Sequence, residues 1–322
     1  MDRSEPSGVV LDVRDLSKAY ETASGEVVRA LDQVSFEVAA GELVAVYGPS
    51  GSGKTTLLKL LARVLVPDGG VVRVRGTDIA GLRGAALDRY RREELGLVLQ
   101  SAQLVAGLNV AGNAALRLME GRLRWREAQQ RVVPLLERLD LGGELERMPS
   151  ELSVGERQRV AIASALAPEP AGLVCDEPVS ALDVSVRAQV LHLLLGLRRA
   201  RGLALLLITH DIGLAWALCD RVAVMYLGRI VEIGAASDVL ERPQHPYTEA
   251  LIAVAPSTRP RPAGRAAILA GDVPDASRIP GGCRFHPRCP RARERCAAED
   301  VALRPSGAAG QTAACWYPGP EG

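Results

Sequence analysis

Nine residues, Gly48-Pro49-Ser50-Gly51-Ser52-Gly53-Lys54-Thr55-Thr56, constrain this chain more than any others. They follow an apolar run of strand length, Leu43 to Tyr47, and precede a segment in which Leu57, Leu58, Leu60, Leu61 and Val64 recur at helical spacing. A match to G-x-x-x-x-G-K-[ST] arises by chance on the order of once per hundred chains of this length, and here it also has a strand before it and a helix after it. Glycines let successive backbone N–H groups converge on phosphate oxygens, and the helix N-terminus adds its partial positive charge. Lys54 can then reach the β- and γ-phosphates while Thr55 ligates Mg2+. An ordinary glycine-rich turn accounts for the glycines but not for the lysine. The chain has 39 basic residues and only three are lysines, Lys18, Lys54 and Lys59.

The rest of the chain supplies the sheet that such a loop needs. Short β segments are expected at Val9 to Val13, Val27 to Arg29 and Val34 to Val38, separated by turn formers. Leu95 to Leu99, Leu173 to Cys175 and Leu203 to Ile208 are continuous apolar runs, as parallel strands buried on both faces require. Residues 102–148 are mostly helical in pattern, and a further helix runs through Val160 to Leu166. The fold class is therefore α/β, a phosphate-loop core with a β-rich N-terminal layer. The aromatic fraction is 3% against 48% apolar overall, so the core must be aliphatic.

Two further sites carry chemistry. The run Gly172-Leu-Val-Cys-Asp176-Glu177 ends an apolar strand in two carboxylates, of which Asp176 can hold Mg2+ and Glu177 can polarise an attacking water. Ser153-Val-Gly155-Glu156 has the S-x-x-E pattern of a capping box, opening a helix whose free N–H groups and serine hydroxyl form a second anion site. Acidic residues number 38, leaving a net charge of +1, so no general field draws in nucleic acid or anionic lipid. No window approaches the length of a membrane span, and Met1 to Gly8 has no secretory character, so a cytosolic chain is expected.

Taken in order, these pieces resemble the nucleotide-binding subunit of an ABC transporter. Gly48 to Thr55 is similar to its Walker A motif, Gln100 to its Q-loop, and Leu152-Ser-Val-Gly-Glu156 to its LSGGQ signature, with Val154 in place of the first glycine. Asp176-Glu177 is similar to Walker B and the catalytic glutamate, Ser180-Ala-Leu-Asp183 to the D-loop, and His210 to the switch histidine. Tyr20 stands where the family stacks an aromatic ring on adenine. The resemblance implies a P-loop nucleotide-hydrolase domain with an antiparallel β layer and a helical subdomain, and it implies that ATP and Mg2+ bind here, with Thr55, Gln100 and Asp176 around the metal. It also implies a head-to-tail dimer with a second ATP-binding subunit, copy or paralogue, in which ATP lies between one subunit's Gly48 to Thr55 and the other's Ser153 to Glu156. Arg157, Gln158 and Arg159 would then face the nucleotide and the dimer seam. Two membrane permeases and an extracytoplasmic substrate-binding protein complete the implied assembly, which puts the chain at the cytoplasmic face of the membrane.

Residues 27–100 look like the lipoprotein-release and macrolide-export ATPases. From Asp211 onward, His245-Pro-Tyr-Thr-Glu-Ala-Leu251 and Gly282-Cys-Arg-Phe-His-Pro-Arg-Cys-Pro290 look like the oligopeptide, dipeptide and nickel importers, and this tail is the more discriminating half. Peptide uptake is the expected work, with export, or a soluble ATPase acting on nucleic acid, as the alternatives. The expected division is an ATPase domain at 9–242 with its helical subdomain at about 101–168, a helix and Pro/Arg-rich linker at 243–280, and a cysteine-rich extension at 281–322. That extension spaces its thiols as Cys283-x5-Cys289-x6-Cys296-x18-Cys315. It has few large apolar residues, so four thiolates holding a [4Fe–4S] cluster are expected to order it, with Zn2+ as the alternative and two disulfides or free thiols as the plain reading. Arg284, Arg288, Arg291, Arg293 and Arg295 would offset a cluster's negative charge.

Overall fold

A computed structural model describes residues 8–22, 25–119, 123–179, 182–254, 274–275 and 277–319. The expected linker prolines Pro256, Pro260 and Pro262, and Ser180 and Ala181 of the D-loop, lie outside the described residues.

The N-terminal segments are longer than their local patterns suggest. Strands β1 (Val9–Glu21) and β2 (Val27–Ala39) form an antiparallel ribbon, carried through by bulges at which Asp15 and Gln33 take positive φ. With β4 (Gly69–Val74) and β5 (Thr77–Asp78) they make a four-stranded sheet in the order β2-β1-β4-β5. A second sheet of eight strands is built on β3 (Leu43–Tyr47), β6 (Leu95–Val98), β7 (Gly172–Asp176), β8 (Ala204–Thr209), β9 (Arg221–Tyr226) and β10 (Arg229–Ala235). Its parallel heart runs β9-β3-β8-β7-β6.

Burial on both faces explains the uninterrupted apolar runs. Val44 and Val46 of β3, with Leu206 and Ile208 of β8, pack into a core shared with Leu57, Leu60 and Leu61 of α1 (Lys54–Leu61) and with Val13, Leu16 and Leu31 of the ribbon. The alternate residues Leu43, Ala45, Leu205 and Leu207 face a second core. That core includes side chains of α3 (Val110–Met119), α4 (Trp125–Arg138), α5 (Val154–Leu166) and α6 (Val184–Arg201). The α5 helix thus begins at the Ser153 capping box and ends where the apolar pattern alone placed its body. Two short helices, α2 (Gly84–Arg89) and α7 (Ile212–Leu218), complete the cassette.

The tail is joined to this core. After α8 (Ala236–Glu241) and α9 (Pro246–Val254), the extension contains α10 (Glu294–Ala298), β11 (Arg304–Pro305) and β12 (Thr312–Ala313). Strand β12 pairs with β10 through Glu232↔Ala313 and Ile233↔Thr312, so it continues the central sheet. Phe285, 1% exposed, stands edge-on to Tyr226 at 5.5 Å and packs on Tyr247 at 5.3 Å. The wholly buried carboxylate of Glu232 accepts from the backbone N–H groups of Gln244 and His245 and from Nε2 of Gln311, at 2.8–2.9 Å. Burial raises its pKa and these donors pull it back. The extension orders with few large apolar residues of its own because β10 supplies a strand edge and Tyr226 and Tyr247 an aromatic surface.

Candidate functional site

The strand register gathers the expected residues. Tyr47 pairs with Thr209, Ile208 with Asp176, and Cys175 with Val98. The residues just past these strands, Gly48, His210, Glu177 and Gln100, therefore emerge side by side at the carboxyl edge of the sheet, where open α/β sheets hold their ligands.

The loop from Gly48 to Gly53 is moulded against its neighbours. Gly53 has φ 104°, and a Cβ there would lie 2.3 Å from the carbonyl oxygen of Ala30 and 2.8 Å from Leu31 Cδ2. A Cβ on Gly48 would lie 2.6 Å from the Met225 carbonyl oxygen. Only glycine fits either place. Ser52 is buried, while Ser50, Gly51 and Thr55 are exposed. Lys54 Nζ donates to the carbonyls of Gly48 and Pro49, both at 2.7 Å, which holds the ammonium across the loop's mouth. Burial lowers its pKa, and the charges of Glu177 and Asp176 resist that fall. Tyr20 is 37% exposed at the ribbon's end, its hydroxyl 3.4 Å from Thr56 Oγ1, so the ring stands beside the start of α1.

Glu177 adopts a left-handed backbone, φ 46°, and its N–H donates to the Ile208 carbonyl. Its carboxylate lies 2.5 Å from His210 Nδ1 and accepts from Gln100 Nε2 at 3.2 Å. Three strands thus converge on one carboxylate. Asp176 beside it has a raised pKa, from burial first and then from the negative charge of Glu177, with Lys54 opposing. The carboxylate of Asp176, the hydroxyl of Thr55 and the amide oxygen of Gln100 are hard oxygen donors of the kind Mg2+ takes, and a half-buried acid beside another acid is stabilised by a divalent cation.

The signature residues stand apart from this group. Ser153 caps α5: its hydroxyl accepts from Glu156 N at 3.2 Å and its own N–H donates to Glu156 Oε2 at 2.7 Å, which lowers the Glu156 pKa. Gly155 faces Leu182, and Val154 is 55% exposed. Asp183 caps α6 by accepting from Val186 N. None of the hydrogen bonds of Ser153, Gly155 or Glu156 among the described residues crosses to Gly48–Thr56. Two of the three residues after Glu156 correct the sequence reading, because Gln158 and Arg159 turn inward instead of facing a seam, while Arg157 stays half-buried beside the preceding turn. Gln158, 2% exposed, donates to the Leu99 carbonyl at 2.8 Å; Arg159, 8% exposed, donates to the Leu139 carbonyl; and Arg157 grips the Leu152 carbonyl. Their amphipathic stems fill the helical subdomain, and Gln158 ties α5 to the strand end that carries Gln100. Spacing along the chain carries no sign of this contact.

Cys283, Cys289, Cys296 and Cys315 line one small pocket with His245 and Phe285. All six cysteines are free thiols, so the disulfide reading has no support. Burial pushes the Cys283 thiol up to about 11 and raises Cys289 and Cys315 as well. The expectation of a formed metal centre is not met. The four thiols line one pocket, yet among the described residues no group of three or more His, Cys, Asp or Glu side chains stands in a metal-holding arrangement.

With the geometry established, similarity to known proteins has a physical counterpart. Residues 31–180 match the ABC transporter family, and residues 231–296 match the C-terminal region of oligopeptide/dipeptide transporters. A probable peptide ABC transporter ATP-binding protein of Sinorhizobium fredii is 45% identical over 93% of this chain and 87% of its own length. A di/tripeptide transport ATP-binding protein of Pseudomonas aeruginosa is 38% identical over 92% and 94%. A dimeric ATP-binding cassette solved with ADP and Pi superposes with TM-score 0.66 at 30% identity, over 70% of this chain and 98% of that one. The matched segments cover the loop that carries Lys54, the strand end that carries Asp176 and Glu177, and the first part of the tail as far as Cys296. The chain belongs to the ATP-binding subunits of ABC transporters, in the branch that carries the oligopeptide/dipeptide C-terminal region.

Proposed function

We propose that this chain hydrolyses ATP to drive peptide uptake through partner permeases. The observation that carries the reading is the convergence of Lys54, Asp176, Glu177, Gln100 and His210 at one sheet edge, backed by relatives named for peptide transport. In this reading the loop N–H groups and Lys54 hold the phosphates, and Tyr20 stacks on the base. Thr55, Asp176 and Gln100 would hold Mg2+, which would offset phosphate charge when bound. Glu177, fixed between His210 and Gln100, orients a water for in-line attack on the γ-phosphoryl group. The bond to the β-bridging oxygen breaks, giving ADP and phosphate, and the carboxylate is placed to take the water's proton. Ser153, Gly155 and Glu156 serve the partner subunit's nucleotide across a head-to-tail dimer, consistent with their separation from Gly48–Thr56 within one chain.

No helix among the described residues is long and apolar enough to cross a membrane, so the proposed place is peripheral, against permeases that do. The loop after Gln100 is built to present itself. Buried Asn113 accepts from Val105 N at 2.7 Å and donates to the Leu108 carbonyl at 2.7 Å, leaving Val105 46% exposed. Cysteines placed at Ala102 and Val105 are expected to crosslink to a permease in the assembled transporter. ATP turnover is expected to rise when a peptide-loaded extracytoplasmic binding protein is added. Turnover indifferent to peptide, with no crosslinks, would reject the cargo and the coupling together.

The same reading divides the chain into an ATPase unit at 9–242, a connecting segment at 243–280 and the extension at 281–322. In the extension, Cys283, Cys289, Cys296 and Cys315, which line one pocket, are the side chains that would hold a [4Fe–4S] cluster, or Zn2+. Such a centre would be structural. Protein purified without oxygen is expected to be brown with broad absorbance near roughly 400 nm, and Cys289→Ser is expected to bleach it and open the tail to proteolysis. Colourless protein with stoichiometric zinc assigns Zn2+ instead, and protein holding neither metal rejects the centre.

A further inference from the structure

The tail and the phosphate loop are separated by more than two hundred residues, yet one guanidinium links them. Arg284, next to Cys283, is 7% exposed. It donates through one nitrogen to the Leu227 carbonyl and through another to the carboxylate of Asp32, itself 9% exposed. Arg229 holds the same Asp32 oxygen at 2.8 Å and also pairs with Asp300 of the tail.

Both groups that Arg284 grips lean on the loop. Leu227 and Gly228 form the tight turn between β9 and β10, each with positive φ. From that turn Gly228 N donates to the Ser52 carbonyl at 3.0 Å, and its own carbonyl accepts from Asp32 N at 2.9 Å. On the other side, Ala30 and Leu31, just before Asp32, are the atoms that crowd Gly53. The turn and the ribbon thus form the two walls against which Ser52 and Gly53 are set, and Arg284 bridges the walls. Burial, with Arg229 nearby, lowers the Arg284 pKa to about 10, which leaves it cationic at neutral pH.

We infer that Arg284 is a positioning residue for the phosphate-binding loop, so that the extension sets how tightly this ATPase holds its nucleotide. The inference rests on the assignment of Gly48–Thr56 as the nucleotide site. A guanidinium that served only to glue the tail down would, on removal, loosen the tail and leave ATP affinity alone. One that braces the walls of the loop changes affinity first, because the loop N–H groups must stay aimed at the phosphates before any chemistry.

The test titrates a fluorescent ATP analogue into the full chain and follows turnover in parallel. Arg284→Gln is expected to weaken binding about tenfold, equivalent to about 1.4 kcal/mol, with KM rising in step and kcat changing little. Arg284→Lys keeps the charge without the two-point grip and is expected to fall between them. It also carries the test if the glutamine variant does not fold. Parental affinity in the variants that fold overturns the inference, as does a fall in kcat at unchanged affinity. Lys54→Ala is measured alongside. If it also binds ATP like the parent, the nucleotide-site assignment fails; if it alone loses binding, only the role of Arg284 is refuted.

Discussion

Glu177→Gln is expected to bind ATP as the parent chain does and to turn it over at least about 100-fold more slowly, the usual cost of removing a positioned base. The glutamine is nearly isosteric, so the left-handed backbone at Glu177 and the packing around it persist. What changes is the charge between His210 and Gln100. The carboxylate accepts on both oxygens, at 2.5 and 3.2 Å, whereas an amide offers only one acceptor. A water placed against it loses its proton acceptor, and the nucleotide keeps its grip on Lys54 and the loop. Single-turnover hydrolysis and equilibrium ATP binding measured on one preparation decide the matter. Turnover within tenfold of the parent would remove Glu177 from the reaction.

Gly53→Ala is expected to be as damaging by another route. The methyl group would meet the Ala30 carbonyl at 2.3 Å, and the backbone sits at φ 104°, where L side chains are strained. Backbone strain of about 1–3 kcal/mol and overpacking of about 1–3 kcal/mol act together. The Leu31 side chain could swing aside, but the nearer obstruction, the Ala30 carbonyl oxygen, is backbone of β2 and cannot. Loss of nucleotide binding together with a lower unfolding midpoint is the expected result. A variant with parental Tm and ATP affinity would show that the loop can relax, and that its shape is not what binds phosphate.

These two residues show what local pattern can and cannot disclose. Gly53 is legible because a phosphate loop needs glycine and lysine at fixed spacing within one turn, and spacing is a property of the chain itself. Glu177 is legible as a strand-end acid, and the unbroken apolar runs at Leu43, Leu173 and Leu203 announce strands buried on both faces. The residues around Gln158 misled because helical position says which side of a helix they occupy but not which body covers that side; α5 turns them into its own subdomain. The extension misled in the same way, since composition counts only the apolar residues it owns, while β10, Tyr226 and Tyr247 supply the surface on which it orders.

The phosphate loop, the alternation of strands and helices and the two strand-end carboxylates are legible along the chain, because each depends on neighbours within a few residues. That Glu177 is held from two sides, that the four thiols line one pocket, and that Arg284 reaches Asp32 and the turn behind Ser52 came from the fold instead. Those facts depend on strand order, register and contacts more than two hundred residues apart in the chain, and no local pattern encodes a distance across a sheet.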